Sequence, residues 1–187
     1  MTKGEASRRR TEAAIIDSAA TLLAARGDAA SMDEIATAAG IGRATLYRYF
    51  PNREELLTAM AAASVQELAA RIEEAGLDAV PFDEGVARLA RAIIATGSKY
   101  VALSADTATY SSTYPGFDVK VTDPMRALFR RGAADGSLRQ DLPVDVQLDL
   151  FSGLIKGALD ATTSGRRGAE EAAAAVTTVF LRGAGAS

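Results

Sequence analysis

The sequence has no cysteine and no histidine among its 187 residues. Without cysteine there is no disulfide framework and no thiolate chemistry. Without either residue, Cys/His metal sites, Ser-His-Asp triads and imidazole general bases are excluded. The acidic residues show no spacing suited to a carboxylate-only site, so neither metal nor cofactor is expected. Tryptophan is also absent, and prolines number only five. No apolar run approaches the roughly 18 residues that a membrane span requires. The opening MTKGEASRRR lacks the apolar core of a signal peptide. A soluble cytoplasmic chain with no membrane partner is the expectation.

Apolar residues make up 48% of the chain, enough for a buried core, and alanine is abundant. Alanine-rich windows favour helix. Sustained alternation of β-branched residues is missing, so the expected class is all-α. The net charge of −3 is unevenly spread. Residues 1–56 hold eight basic and eight acidic side chains, whereas 57–187 hold thirteen and sixteen. Arg43, Arg48 and Arg53 occur with no acid between Glu34 and Glu54, and Arg8-Arg9-Arg10 forms a second basic cluster. A local basic face matters more to a phosphate backbone than net charge does.

Ile15, Ile16, Ala19, Leu22 and Leu23 recur at helical spacing and predict a helix from about residue 8 to Ala25, with Gly27 placed for a left-handed cap. Ser31 followed by Glu34 is a capping-box pair, so a second helix starts there and stops at Gly40. A third helix over 43–50 is ended by Pro51. Asn52 and Glu55 form another capping box and open a long fourth helix, about 53–75. Pro81-Phe82 opens a helix with Val86, Leu89, Ile93 and Ile94, and a short one is expected over 100–103. Residues 104–117 read as a polar, aromatic loop. Further helices are expected over about 119–134, after Pro143, which sits near a first helical turn, and from about Ala169 to Leu181.

Residues 31–50 therefore read as helix, glycine turn, helix, the general form of a helix-turn-helix. In that motif the second helix enters the major groove with its N-terminal residues at the base edges. Here those are Arg43, Ala44, Thr45 and Arg48. Arginine binds guanine bidentately, and an alanine or threonine methyl packs on a thymine methyl. Tyr47 and Tyr49 carry hydroxyls suited to phosphate oxygens, Ser31 and Arg53 flank the unit, and the helix start at Asn52-Arg53 offers free amides. The same pattern also fits a helical hairpin with surface arginines and core aromatics. Leu46 and Phe50, four apart, are core on either reading.

The stretch AGIGRATLYRYFPNREELL, with Ile15, Ala19, Leu23, Gly27, Met32 and Ile35-Ala36 before it, resembles the DNA-binding region of the TetR family of bacterial regulators over residues 9–57. The chain departs from the family pattern at Gly42, where Ser or Thr is frequent, and at Ala44, where Gly is common. The resemblance implies a DNA-binding domain over 1–52 and a helical ligand-sensing and dimerisation domain over 53–187. It implies a homodimeric repressor, not an enzyme, that leaves its double-stranded DNA operator when a small-molecule effector binds. In similar proteins the last two long helices, here about 144–163 and 169–182, form a four-helix bundle with a second copy. Gly153 and Gly157 lie on one face and would let another helix approach closely. The segment from Asp135 to Asp145 also looks like the family's C-terminal domain. The candidates for an effector site, a mostly apolar cavity, are Phe82, Tyr100, Tyr110, Tyr114, Phe117, Phe129 and Phe151. Aromatics at helical spacing are more often plain core, and Tyr110 and Tyr114, in a polar loop, are the exceptions. The fourth helix would be the lever between sensing and DNA binding.

Overall fold

The computed structural model describes residues 2–100, 114 and 116–184. Eight α-helices occur among them: α1 (Lys3–Arg26), α2 (Met32–Ala38), α3 (Arg43–Tyr49), α4 (Arg53–Glu74), α5 (Phe82–Lys99), α6 (Asp123–Ala134), α7 (Val144–Thr163) and α8 (Ala169–Ala184). The described residues contain no strand. None of these helices is long and apolar enough to cross a membrane. The all-α class expected from composition is the one observed. Two compact units share the chain, one made of residues up to 64 with Lys99 and Tyr100, the other of 65–98 and the described residues from Tyr114 onward.

In the first unit, α1 begins at Lys3, five residues before the apolar periodicity predicts. The reason is a capping box: Thr2 accepts from the Glu5 amide, and the Glu5 carboxylate accepts from the Thr2 amide at 2.7 Å. Gly27 ends α1 at φ 56, ψ −140, a glycine-only conformation outside the left-handed helical cap expected for it. The core is built from Ile15, Ala19 and Leu23 of α1, Ile35 and Ala36 of α2, Leu46 of α3, Phe50, and Leu56 and Met60 from the first turns of α4. Tyr100 is buried in this same core. Beside it, the Lys99 ammonium pairs with Asp17 at 2.7 Å.

The second unit is more aromatic. Phe82, Phe129, Phe151 and Phe180 meet with ring centroids 5.2–5.8 Å apart, in mostly edge-on pairs, the favoured aromatic geometry. Glycines allow the helices to close. A Cβ on Gly132 would stand 2.5 Å from the Phe82 ring, one on Gly85 2.6 Å from Leu128, and one on Gly97 2.6 Å from Leu159. Arginines tie down the turns, Arg88 donating to the Ala75 carbonyl at 2.9 Å and Arg131 to that of Val80 at 2.7 Å. A π-helical turn, Asp118–Thr122, runs directly into α6, so helical structure starts close to the position expected, about residue 119, with a π turn in place of the first α-helical one. Pro143 stands at the N-cap of α7 with ψ 145, beside the first turn as expected. Leu103 and Tyr110 lie outside the described residues.

Candidate nucleic-acid interface

The α2–α3 unit follows from local chemistry. Ser31 caps α2: its hydroxyl accepts from the Glu34 amide at 3.3 Å, and the Glu34 carboxylate accepts from the Ser31 amide at 2.9 Å. Arg26 also pairs with Glu34. The Ser31 amide, the Ser31 hydroxyl and the Arg26 guanidinium together lower the Glu34 carboxyl from 4.5 to about 2. At the other end of α2 the chain reverses through Gly40 at φ 67. The Ile41 amide donates to the Ala36 carbonyl and the Gly40 amide to that of Thr37, both at 3.0 Å. These two bonds form a complete Schellman motif, which requires the left-handed backbone that glycine adopts without strain.

This turn sets α3 across α2 with Leu46 fully buried beneath it. Arg43, Ala44 and Arg48 are exposed, while Thr45, Tyr47 and Tyr49 are half-buried. The residues expected to face DNA are thus gathered on α3, with Ser31 at the start of α2 and Arg53 at the start of α4. The aromatic rings carry the cations. The Arg43 guanidinium lies 5.5 Å from the Tyr47 centroid, and those of Arg48 and Arg8 each lie 5.8 Å from Tyr49. Arg53 also has an internal partner, donating to the Ala30 carbonyl at 2.5 Å, so it ties α4 to the approach to α2. Asn52 caps α4, its Oδ1 accepting from the Glu55 amide at 2.9 Å. Gly42 stands at the N-cap of α3 and supplies no side-chain acceptor.

Two participants escaped the sequence reading. Arg43 Nη1 donates to Asp33 Oδ2 at 2.9 Å, joining residues ten apart that periodicity does not relate. Arg8 was visible only as part of a basic run; its position against Tyr49 joins α1 to α3, a contact between residues forty-one apart.

The residues expected around an effector do not form one group. Phe82, Phe129 and Phe151 are buried against one another in the second core. Tyr100 belongs to the first core. Phe117 is buried and Tyr114 half-buried against the second core, where burial raises the Tyr114 phenol above its ordinary pKa. Among the described residues two buried polar atoms have no hydrogen-bond partner, Thr96 Oγ1 and Gln147 Oε1. No cluster of metal-ligating side chains occurs among the described residues.

Against known proteins, the sequence model of the tetR family of bacterial regulatory proteins matches residues 15–60. The HTH-type transcriptional repressor LfrR of Mycolicibacterium smegmatis is 43% identical over 84 residues, which is 44% of this chain and 43% of LfrR. The HTH-type transcriptional regulator Rv1255c of Mycobacterium tuberculosis is 56% identical over 57 residues, 28% of either chain. These sequence matches span less than half of either relative. The crystal structure of LfrR from Mycobacterium smegmatis in complex with proflavine superposes with a TM-score of 0.74 at 25% identity, covering 95% of this chain and 97% of that one.

Proposed function

Because the chain belongs to the tetR family of bacterial regulatory proteins, we propose that it is a DNA-binding transcriptional regulator: a homodimeric repressor released from its operator by a small-molecule effector. The observation that carries this reading is the exposed Arg43-Ala44-Arg48 face of α3, held by a buried Leu46 and a glycine-closed turn. In this reading Arg43, Ala44 and Thr45 meet base edges. Ser31, Tyr47, Arg48, Tyr49 and Arg53 meet phosphates, which position the protein without reading sequence. Residues 1–52, with Arg53 at the start of α4, carry recognition, and the rest of 53–187 carries sensing and dimerisation.

Dimerisation is supported by the free face of the last two helices. Val146, Leu150 and Val179 are 42%, 56% and 57% exposed. Gly153 and Gly157 continue the stripe on α7, and a Cβ on either would meet nothing within 4 Å. Such an apolar face, with glycines that leave room for close approach, fits a second copy across a two-fold axis. Two copies then present two recognition helices to successive major grooves, about 34–36 Å apart.

An effector site in the second unit is supported by the buried Thr96 hydroxyl, which has no partner in the described residues. An unmet buried hydroxyl is costly, and a ligand would satisfy it. Tyr114, Phe117 and the π-helical turn beside them lie in the same unit, and π-turns often mark functional sites. The effector shifts the dimer only by its differential affinity for the bound and released shapes.

The test is selection from random-sequence duplex DNA, then fluorescence anisotropy on the selected site across a salt series. Enrichment of a two-fold symmetric motif, bound more tightly than unrelated DNA and weakened by salt, is the expected outcome. No enriched motif would overturn the proposal. Proflavine, held by the solved LfrR, is the first compound to add to the bound complex.

A further inference from the structure

We propose that Asp33 is a specificity-determining positioning residue: with the Tyr47 ring it holds Arg43 in the orientation that reads a guanine in each operator half-site. This rests on the DNA-binding reading above and deepens it.

Arg43 is held on two sides. Its Nη1 donates to Asp33 Oδ2 at 2.9 Å, and its guanidinium lies 5.5 Å from the Tyr47 centroid. Its Nε and Nη2 have no acceptor among the described residues. That leaves one edge of the planar fork, with its parallel donors, open to the O6 and N7 acceptors of a guanine. Arg48 differs: it packs on Tyr49 and has no carboxylate partner among the described residues. An arginine with no carboxylate to fix its plane suits a phosphate, whereas one held by a carboxylate suits a base edge, because bidentate pairing tolerates little angular error.

Stability does not account for the ion pair. Both side chains are mostly exposed, Arg43 at 67% and Asp33 at 54%, and exposed pairs contribute little. A carboxylate on a surface that faces phosphates opposes binding to DNA of any sequence. Placing one there therefore lowers nonspecific affinity while it orients the base-reading cation, and both effects widen discrimination. Electrostatics within the motif favour the same pairing. Arg43 is the first residue of α3, where the helix dipole disfavours a cation, and Asp33 lies in the first turn of α2, where it favours an anion.

The experiment compares the full-length wild type with D33N, D33A, D33E and R43A. Each is put through selection from random duplex DNA. Anisotropy then follows on the selected site, on that site with the guanine replaced, and on unrelated DNA. Circular dichroism on melting verifies that each variant folds. Wild type is expected to select a guanine that R43A no longer selects. D33N and D33A should lower discrimination at that base by about tenfold while raising affinity for unrelated DNA, and D33E should restore most of the discrimination. A merely structural role for Asp33 would instead weaken binding to all DNA alike. That result, or wild-type discrimination in D33N, overturns the proposal. So does a wild-type motif with no guanine that depends on Arg43, although the DNA-binding reading then stands. If wild type selects no motif, that reading fails as well.

Discussion

The first unit closes on a small, mostly aliphatic core of Ile15, Leu23, Ile35, Leu46 and Leu56, whereas the second closes on four phenylalanines and on glycines pressed against Phe82, Leu128 and Leu159. The first is organised by its helix ends: two capping boxes, an asparagine cap and a Schellman turn. Caps and turns orient short helices accurately while leaving their outer faces free, which suits a surface that must present side chains at fixed angles. The second unit is organised by side-chain volume. Volume packing holds long helices together, and it makes the unit sensitive to anything that fills or empties its interior.

The largest effect expected from this contrast is at Phe129, fully buried and in contact with three other rings. Phe129→Ala should cost about 3–5 kcal/mol, read as a lowered urea midpoint. A loss below about 1 kcal/mol would mean that the aromatic cluster is not what holds this unit. Next comes the free face of α7 and α8. Leu150→Arg combined with Val179→Arg alters two exposed side chains, so the monomer should fold as before. Sedimentation should show dimer giving way to monomer, with operator binding lost, and a dimer that persists would place the interface elsewhere.

Thr96→Val separates packing from function within the second unit. Removing the unpartnered hydroxyl should raise the stability of the free protein by about 1 kcal/mol. The same change should blunt release from DNA by the effector. A stability loss would show that the hydroxyl had a partner after all.

The first unit offers a pH test. Glu34 has its carboxyl lowered from 4.5 to about 2 by Ser31 and Arg26. A carboxyl depressed in the folded state contributes stability above its unfolded pKa, and that contribution fades as pH falls toward the folded value. Wild type should therefore lose stability between about pH 4.5 and 2, and Glu34→Gln should flatten the acid limb in that window. Parallel curves would refute the assignment. The smallest effect is at α3, which lacks a side-chain cap at Gly42. Gly42→Ser should stabilise the fold by a few tenths of a kcal/mol, measurable as a small rise in Tm.

What could be read from the chain follows the same division. The Ser31–Glu34 box, the Asn52 cap on the Glu55 amide, the stop at Gly40 and the burial of Leu46 and Phe50 each depend on residues within four positions of one another. All are observed, although the Glu55 carboxylate accepts from the Asn52 side chain rather than from the backbone amide that a full box would use. The early start of α1 was missed because periodicity began too far downstream to reveal the Thr2–Glu5 box. In the second unit the reading was coarser. Phe82, Phe129 and Phe151 were recognised as apolar and important, but nothing in their spacing told a packed cluster from a cavity wall. Tyr100 was grouped with them, although it packs beside Lys99 in the first core.

The sequence alone determined the helical class, the helix-turn-helix and its caps, because hydrogen bonds that close within one helical turn are set by adjacent residues. Only the tertiary structure decided that Asp33 grips Arg43, that Arg8 and Arg48 share Tyr49, and that Gly132 receives the Phe82 ring. Those pairings depend on the angles at which helices cross. Crossing angles are set by how whole side-chain surfaces interlock, a property that no short stretch of the chain contains.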